Sequence, residues 1–398
     1  MNGELALRWL DEAAQFSLPG EGVTRLFLTD EHRKLIDWLA DKAKQINLRH
    51  HLDDSGNVTL KRCSADPGAP TLLIGSHQDS VRNGGKYDGM LGIVLPMLVL
   101  ADMEPLPYNV EIIAFGDEEG TRFSSTLVGS SAIAGNFDKS ILLREDNDGV
   151  SMQDAMEHFG LHINKIPQIA RNKTEIMGFL ELHVEQGPIL EDENVPVGLV
   201  TSVTGIERHQ VKVLGKAGHA GTVPMHMRQD ALVVAADIVR FVNKICLETT
   251  DLVGVVGKMA IYPNSVNVIP AAVDLTIELR SPHDGVLTFV RNELASFLKG
   301  YKGVSSECIY QQKGFQCDAE LSSVIAEAIQ ENGISLKKVF SGAGHDGLAM
   351  HFLTSCAMLF VRCKDGLSHH PDESVTAEDC TSAMNVLKTI LLKLGTKG

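Results

Sequence analysis

What this chain lacks narrows it first. None of its apolar runs approaches the roughly 20 residues that a membrane-spanning helix needs, so no membrane partner is expected. Its 7 cysteines, at positions 63, 246, 308, 317, 356, 363 and 380, are odd in number, scattered and never spaced CxxC. A disulfide framework and a zinc–thiolate site are therefore not expected, and the thiols read as reduced, mostly buried fillers of a cytoplasmic protein. Basic residues are in the minority, 36 Lys and Arg against 51 Asp and Glu, and a net charge of −15 argues against a nucleic-acid partner. The opening MNGELALRWLDEAA reads as an acidic amphipathic helix without the basic start and apolar core of a signal peptide. There is no internal repeat and no low-complexity segment.

What is present is length and rhythm. At 398 residues the chain favours two domains over one core. In the first half, 31–46 reads as an amphipathic helix, with Leu35, Ile36, Leu39, Ala43 and Ile46 at helical spacing. The short apolar runs 71–75, 110–115 and 178–184 read as buried strands, and 89–103 as a helix entered through a glycine-rich loop. This βαβ alternation predicts a mainly parallel or mixed sheet covered by helices, with its site outside the carboxyl ends of the strands. From about 207 the order becomes strand (208–214), helix (228–245), strand (253–260), strand (273–280), helix (286–299) and strand (304–310), the βαββαβ pattern of a ferredoxin-like domain. In VDLTIELR, Val273, Leu275, Ile277 and Leu279 alternate with Asp274, Thr276, Glu278 and Arg280, as in a strand buried on one face. After about 318 the α/β style returns, with helices 320–331 and 376–394 and a strand near 356–362. The expected fold is α/β: a mixed-sheet catalytic domain in two segments, 1–206 and 318–398, with an inserted α+β domain at 207–317.

Chemistry-bearing residues fall at the ends of the predicted strands. His77 and Asp79 follow TLLIG, Glu118 and Glu119 follow VEIIAF, and His183 ends GFLELHV; Asp88 lies in KYDGMLG and His369 in GLSHHPDE. Imidazoles and carboxylates in this mixture suit zinc, manganese or cobalt. Asp79 is spaced to accept the spare His77 N–H and fix the ring, and Asp88 also suits a helix N-cap. Of two adjacent glutamates, one can bind metal while the other moves the proton of a metal-activated water. Asp117 is a third acid here, and its plainest reading is a strand-end surface charge. His370 rivals His369, and spacing does not choose between them.

With these motifs assembled, the chain resembles the N-carbamoyl-amino-acid amidohydrolases, including allantoate amidohydrolases and β-ureidopropionases. They are a branch of the dinuclear metallo-aminopeptidase-like superfamily, with a zinc-exopeptidase-type catalytic domain. The resemblance runs from GVTR (22–25) to SHHPDE (368–373), through GSHQDSVRNGGKYDG, DEEGTRF, ELHVEQGP, GHAGTVPM, NVIP, ELRSP and AGHDG. It implies two divalent metal ions (Zn2+, Mn2+ or Co2+), one held by His77, Asp88 and His183, the other by Asp88, Glu119 and His369. It implies Glu118 as general acid/base with Asp79 and His219 also catalytic, and Gln186, His219, Asn267 and Arg280 as binders of a small carboxylate substrate. It also implies that the inserted domain serves as lid and homodimer interface. The residues alone allow plainer readings: Arg280 in an ion pair with Glu278 or Asp284, Asn267 in a turn, His219 in a loop.

His183 stands where the peptidase branch usually has Asp, which favours the carbamoyl branch. SHHP and AGHDG depart from the usual SHNP and AGHDA, with His345 and Asp346 retained in a supporting position. Gln78 and Met90 are expected to shape the pocket. The implied reaction is cleavage of a linear carbamoyl C–N bond, in an N-carbamoyl-L-amino acid or allantoate, by a metal-activated hydroxide. A dipeptidase or aminoacylase on the same scaffold is the first rival, and a non-catalytic binding homologue the second.

Overall fold

The computed structural model describes residues 1–396; positions 397 and 398, the end of the expected outer segment, lie outside the described residues. In chain order the strands are β1 (Arg49–Leu52), β2 (Val58–Arg62), β3 (Thr71–His77), β4 (Asn109–Phe115), β5 (Ile176–Val184), β6 (Val197–Val203), β7 (Gly205–Leu214), β8 (Gly218–His219), β9 (Val253–Tyr262), β10 (Val268–Ile269), β11 (Ala272–Ser281), β12 (Val304–Gln312), β13 (Phe315–Gln316), β14 (Lys338–Ser341) and β15 (Cys356–Val361). The chain divides into two compact units. One comprises Met1–Thr201, Cys317–Val339 and the chain from Ala343 onward; the other comprises Ser202–Gln316 with Phe340–Gly342. The return of 340–342 to the second unit has a local cause: Thr204 N–H donates to the Ser341 carbonyl at 3.0 Å, and Arg280 Nη1 donates to the Gly342 carbonyl at 2.6 Å.

The sheet of the first unit runs β1-β2-β4-β3-β5-β15-β6. Its four central strands, β4, β3, β5 and β15, are mutually parallel, while β2 and β6 flank them antiparallel. All four central strands therefore end on the same edge. Every residue of β3 is buried, which is why its sequence is apolar without alternation. The helix Leu91–Ala101 is apolar on every side because it too is enclosed, against β3, β5 and the helix Ala377–Thr396. The helix Asp30–Gln45 starts where Thr29 caps the His32 N–H, carries Asp30 and Glu31 in its first turn, and ends on Lys42 and Lys44, favourable at both ends of the helix dipole. A second apolar cluster gathers Phe27, Phe123, Val128, Met152 and Met156.

The second unit carries an antiparallel sheet in the order β12-β7-β11-β9, with the helices Ala231–Glu248 and Asp284–Lys299 packed on it, the ferredoxin-like arrangement. Burial along β11 alternates without exception, and Val273, Leu275, Ile277 and Leu279 join the apolar cluster under the helices. Strands β1, β8 and β10 carry no apolar alternation and do not show in the hydrophobic pattern; β1 is an exposed edge strand.

Two expectations about single residues are corrected. Among the described residues only Cys356, Cys363 and Cys380 are buried, while Cys63, just past the end of β2, and Cys308, in the middle of the exposed edge strand β12, are exposed. Gln78 and Met90, expected to shape the pocket, are both buried side chains. Gln78 is fully buried and donates its amide to the carbonyls of Gly56 and Ala114, and Met90 belongs to the main apolar core. Among the described residues no helix is long and apolar enough to cross a membrane.

Candidate metal centre

Because the four central strands share a direction, the chemistry-bearing residues converge at one sheet edge. His77 closes β3, the turn after β4 presents Asp117, Glu118 and Glu119, His183 lies near the end of β5, and the segment after β15 carries His369. Asp88 comes from the loop between β3 and the helix Leu91–Ala101. It caps no helix: its side chain faces three imidazoles. Oδ1 lies 3.2 Å from His77 Nε2 and 3.0 Å from His183 Nε2, and Oδ2 lies 3.2 Å from His369 Nε2. His369 Nε2 is also 3.4 Å from Glu119 Oε1. The rival His370 turns away; its Nδ1 accepts the Asp372 N–H at 3.1 Å.

This donor set fits a cation on structural grounds. His77 Nδ1 lies 3.0 Å from the Asp79 carbonyl, and His183 Nδ1 lies 2.9 Å from the Val184 carbonyl. A carbonyl only accepts, so each Nδ1 bears the proton and each Nε2 of a neutral ring is a bare lone pair. Those two Nε2 atoms are 3.4 Å apart. In that neutral form two lone pairs and a carboxylate oxygen meet at a point that a divalent ion satisfies. Three such groups share this edge: His77, Asp88 and His183; Asp88, Glu119 and His369; and His77, Glu118 and Glu119.

The role expected of Asp79 changes. The His77 ring is held by the Asp79 backbone carbonyl, and the carboxylate stands off at 3.8 Å. It accepts instead from the backbone N–H groups of Glu118 (3.0 Å) and Glu119 (3.2 Å), so it orients the pair of glutamates. Asp117 is not a surface charge. It is buried with φ of 56°, and burial together with Asp79 holds its carboxyl well above the usual range. Burial raises Glu118 well above that range too, with Glu119, Asp346 and Asp79 adding to the rise against the opposing His77. Glu119 is pushed up to about 7, by burial first and then by Asp88.

Gln186, at φ 57°, donates its amide to Asp88 Oδ2 and to Ser368 Oγ, both at 3.1 Å. His369, at φ 54°, is another non-glycine residue in the left-handed region. Such backbone costs are characteristic of sites where a side chain must be aimed. The His345 ring meets the His183 ring edge-on, centroids 4.5 Å apart. Residue patterns alone assign no role to Ser368, Glu373 or Glu181. Glu181 is fully buried and accepts from Gly347 N–H at 3.0 Å. The signal that could have found the first two is the unexplained Ser and Glu within SHHPDE.

The remaining expected site residues lie in the second unit. Pairing of β8 with β10 sets His219 against Val268, and the Ala220 N–H donates to the Asn267 carbonyl at 2.9 Å, so His219 and Asn267 are neighbours. His219 Nδ1 accepts the Gly221 N–H at 3.1 Å, and Asn267 Oδ1 accepts from Ser265 Oγ at 3.0 Å. Arg280 is engaged by Glu278, with Nε donating at 2.9 Å, and Arg208 shares that carboxylate at 2.9 Å. A fourth group of ligand types, Glu207, His209 and Cys308, also lies here. Its Glu207 carboxylate is already taken by Arg291, at 3.0 Å from Nε, and by Gln311, at 3.2 Å.

Known proteins share both the sequence and the fold. An N-carbamoyl-L-amino-acid amidohydrolase of Paenarthrobacter aurescens is 36% identical over 394 residues, covering 96% of each chain. An allantoate deiminase of Arabidopsis thaliana is 34% identical, covering 95% of this chain and 80% of that one. The crystal structure of an amidase of the hydantoinase/carbamoylase family from Burkholderia multivorans superposes with a TM-score of 0.92 at 31% identity, covering 98% of this chain and 97% of that one. The profile of peptidase family M20/M25/M40 matches residues 73–393, a span that takes in every residue of the converging edge, and the chain belongs to that family.

Proposed function

We propose that this chain is a metal-dependent amidohydrolase that cleaves a linear carbamoyl C–N bond, in an N-carbamoyl-L-amino acid or in allantoate. The family is metal-dependent, and the chain holds His, Asp and Glu groups able to bind a metal. The observation that carries the reading is the convergence of His77 and His183 Nε2 on one oxygen of Asp88, with Glu118 beside them. His77, Asp88 and His183 would hold one divalent ion and Asp88, Glu119 and His369 a second, Zn2+, Mn2+ or Co2+. Bound there, the metal supplies a Lewis acid that polarises the scissile carbonyl and acidifies water.

The residues do the rest. Glu118, whose carboxyl is held above the usual range, takes a proton from the attacking water and delivers it to the departing nitrogen. Asp79 keeps both glutamates aimed through their backbone N–H groups. Gln186, whose two amide protons go to Asp88 and Ser368, offers its amide oxygen to a urea-like N–H, and His219 a ring to the carbonyl oxygen. Arg280 and Asn267 take the substrate carboxylate. The second unit serves as lid and homodimer interface, and the enzyme works in the cytoplasm on small molecules. The names of the relatives, N-carbamoyl-L-amino-acid amidohydrolase and allantoate deiminase, support the substrate class.

The test is a panel of N-carbamoyl-L-amino acids, allantoate, N-acyl amino acids and dipeptides, assayed with added Zn2+, Mn2+ or Co2+. Turnover of a carbamoyl or ureido substrate is expected. Turnover confined to dipeptides or N-acyl amino acids would replace this reading with a dipeptidase or aminoacylase, and inertness of the metal-loaded protein would point to a binding homologue.

A further inference from the structure

Glu373 takes no part in the reaction above, yet its carboxylate ties together two segments of the centre. It is buried, 3% exposed. Its Oε1 accepts the backbone N–H of Tyr87 at 3.1 Å and of Asp88 at 3.0 Å, and its Oε2 accepts the Ser368 hydroxyl at 2.7 Å. Ser368 has a single proton to give, and the shortest contact takes it. Its oxygen then accepts from Gln186 Nε2 at 3.1 Å, which also donates to Asp88 Oδ2 at 3.1 Å. One carboxylate thus joins the loop that carries Asp88 to the segment that carries His369, through backbone N–H groups on one side and a serine on the other.

Gly85 supports the same reading independently. A Cβ at Gly85 would stand 2.2 Å from Glu373 Oε1, 2.3 Å from its Cδ and 2.5 Å from its Cβ. Gly85 is not among the glycines with φ in the left-handed region, so an alanine there is excluded by the Glu373 side chain and not by backbone conformation. The glycine-rich loop leaves the space that Glu373 fills.

We infer that Glu373 is a positioning residue that sets Asp88 against His369, and so governs the affinity of the centre for its shared cation. The inference rests on the metal-centre reading proposed above. Groups behind metal ligands commonly contribute ten- to a hundredfold in affinity, roughly the effect expected here. The geometry parallels Asp79, which clamps the backbone of Glu118 and Glu119.

The test is a cobalt titration of the metal-free full chain, read by visible absorbance against a competing chelator. The proteins compared are wild type, Glu373→Ala, Glu373→Gln, Gly85→Ala and the Gly85→Ala/Glu373→Ala double variant, with thermal melts to show each is folded. Glu373→Ala and Gly85→Ala are each expected to bind cobalt about ten- to a hundredfold more weakly, Glu373→Gln to fall between them and wild type, and the double variant to match Glu373→Ala alone. Additive losses in the double variant, or affinity in either Glu373 variant within about twofold of wild type, overturn the inference. A lowered melting midpoint with unchanged cobalt affinity also overturns it, since a merely structural role would do that. Wild-type protein that takes up no cobalt overturns the metal reading and this inference together.

Discussion

The Nε2 atoms of His77 and His183 lie 3.4 Å apart and face the same oxygen of Asp88. With both Nδ1 protons given to backbone carbonyls, each ring in its neutral form offers its Nε2 lone pair on the side of Asp88. Removing metal by dialysis against a chelator should therefore lower the thermal midpoint, and returning Co2+, Mn2+ or Zn2+ should raise it. At a free concentration of about 100 times the dissociation constant, the gain is about 2.7 kcal/mol. His183→Ala should abolish most of that gain. A wild-type midpoint indifferent to every divalent ion would refute the assignment.

Glu118 is a buried carboxylate that neither of the ligand sets sharing Asp88 requires. Glu118→Gln keeps its size and removes its basicity. Metal uptake should persist while kcat on the best carbamoyl substrate falls by roughly 10²–10⁴-fold. Near-normal kcat in the metal-loaded variant would remove Glu118 from the proton path.

Arg280 gives Nε and Nη2 to Glu278 and one Nη1 proton to the Gly342 carbonyl. A guanidinium has five N–H donors, which leaves two for a carboxylate. Arg280→Ala should raise KM about tenfold or more, with a smaller change in kcat, since a hydrogen bond to a charged group contributes about 1.5–3 kcal/mol. Arg280→Lys should recover little, because an ammonium does not reproduce the fork. An unchanged KM would leave Arg280 as the structural partner of Glu278.

His32 sets a pH dependence of stability far from the reaction. The ring is fully buried, its Nδ1 accepts the Leu28 N–H at 3.0 Å, and burial, then Arg25, hold it at about 3 against the ordinary 6.5. The unfolded chain therefore binds the proton first. Stability is complete above pH 6.5 and declines as pH falls from 6.5 toward 3, by about 1.4 kcal/mol per unit. Between about pH 7 and pH 5 this one group should cost about 2 kcal/mol. Urea midpoints of wild type and His32→Asn, compared at both pH values, would show the variant losing less; parallel losses would exclude His32 as the cause.

Local chemistry is legible in the residues themselves. Runs such as TLLIG and VEIIAF read as strands because a strand buried on both faces needs no polar alternation, and β11 is legible because one face is wet. The ligand types at the strand ends are legible for the same reason: the end of an apolar run is where polar side chains begin. Edge strand β1, with Arg49, His50 and His51 exposed, carries no such contrast and leaves no mark in the pattern. Spacing pairs Asp79 with its neighbour His77, because spacing shows only local contacts; its carboxylate in fact reaches the backbone after β4.

The chain's own pattern specifies which residues can bind metal or move a proton, and the two kinds of sheet that present them. It does not specify that His369 and not His370 lies against Asp88, the approach of three imidazoles to Asp88, or the hydrogen bonds of Glu373 to the backbone of Tyr87 and Asp88; those come from the folded arrangement. Each depends on groups up to 286 residues apart meeting within hydrogen-bond distance. Parallel strand order brings them together, and no local pattern in the chain encodes the separation.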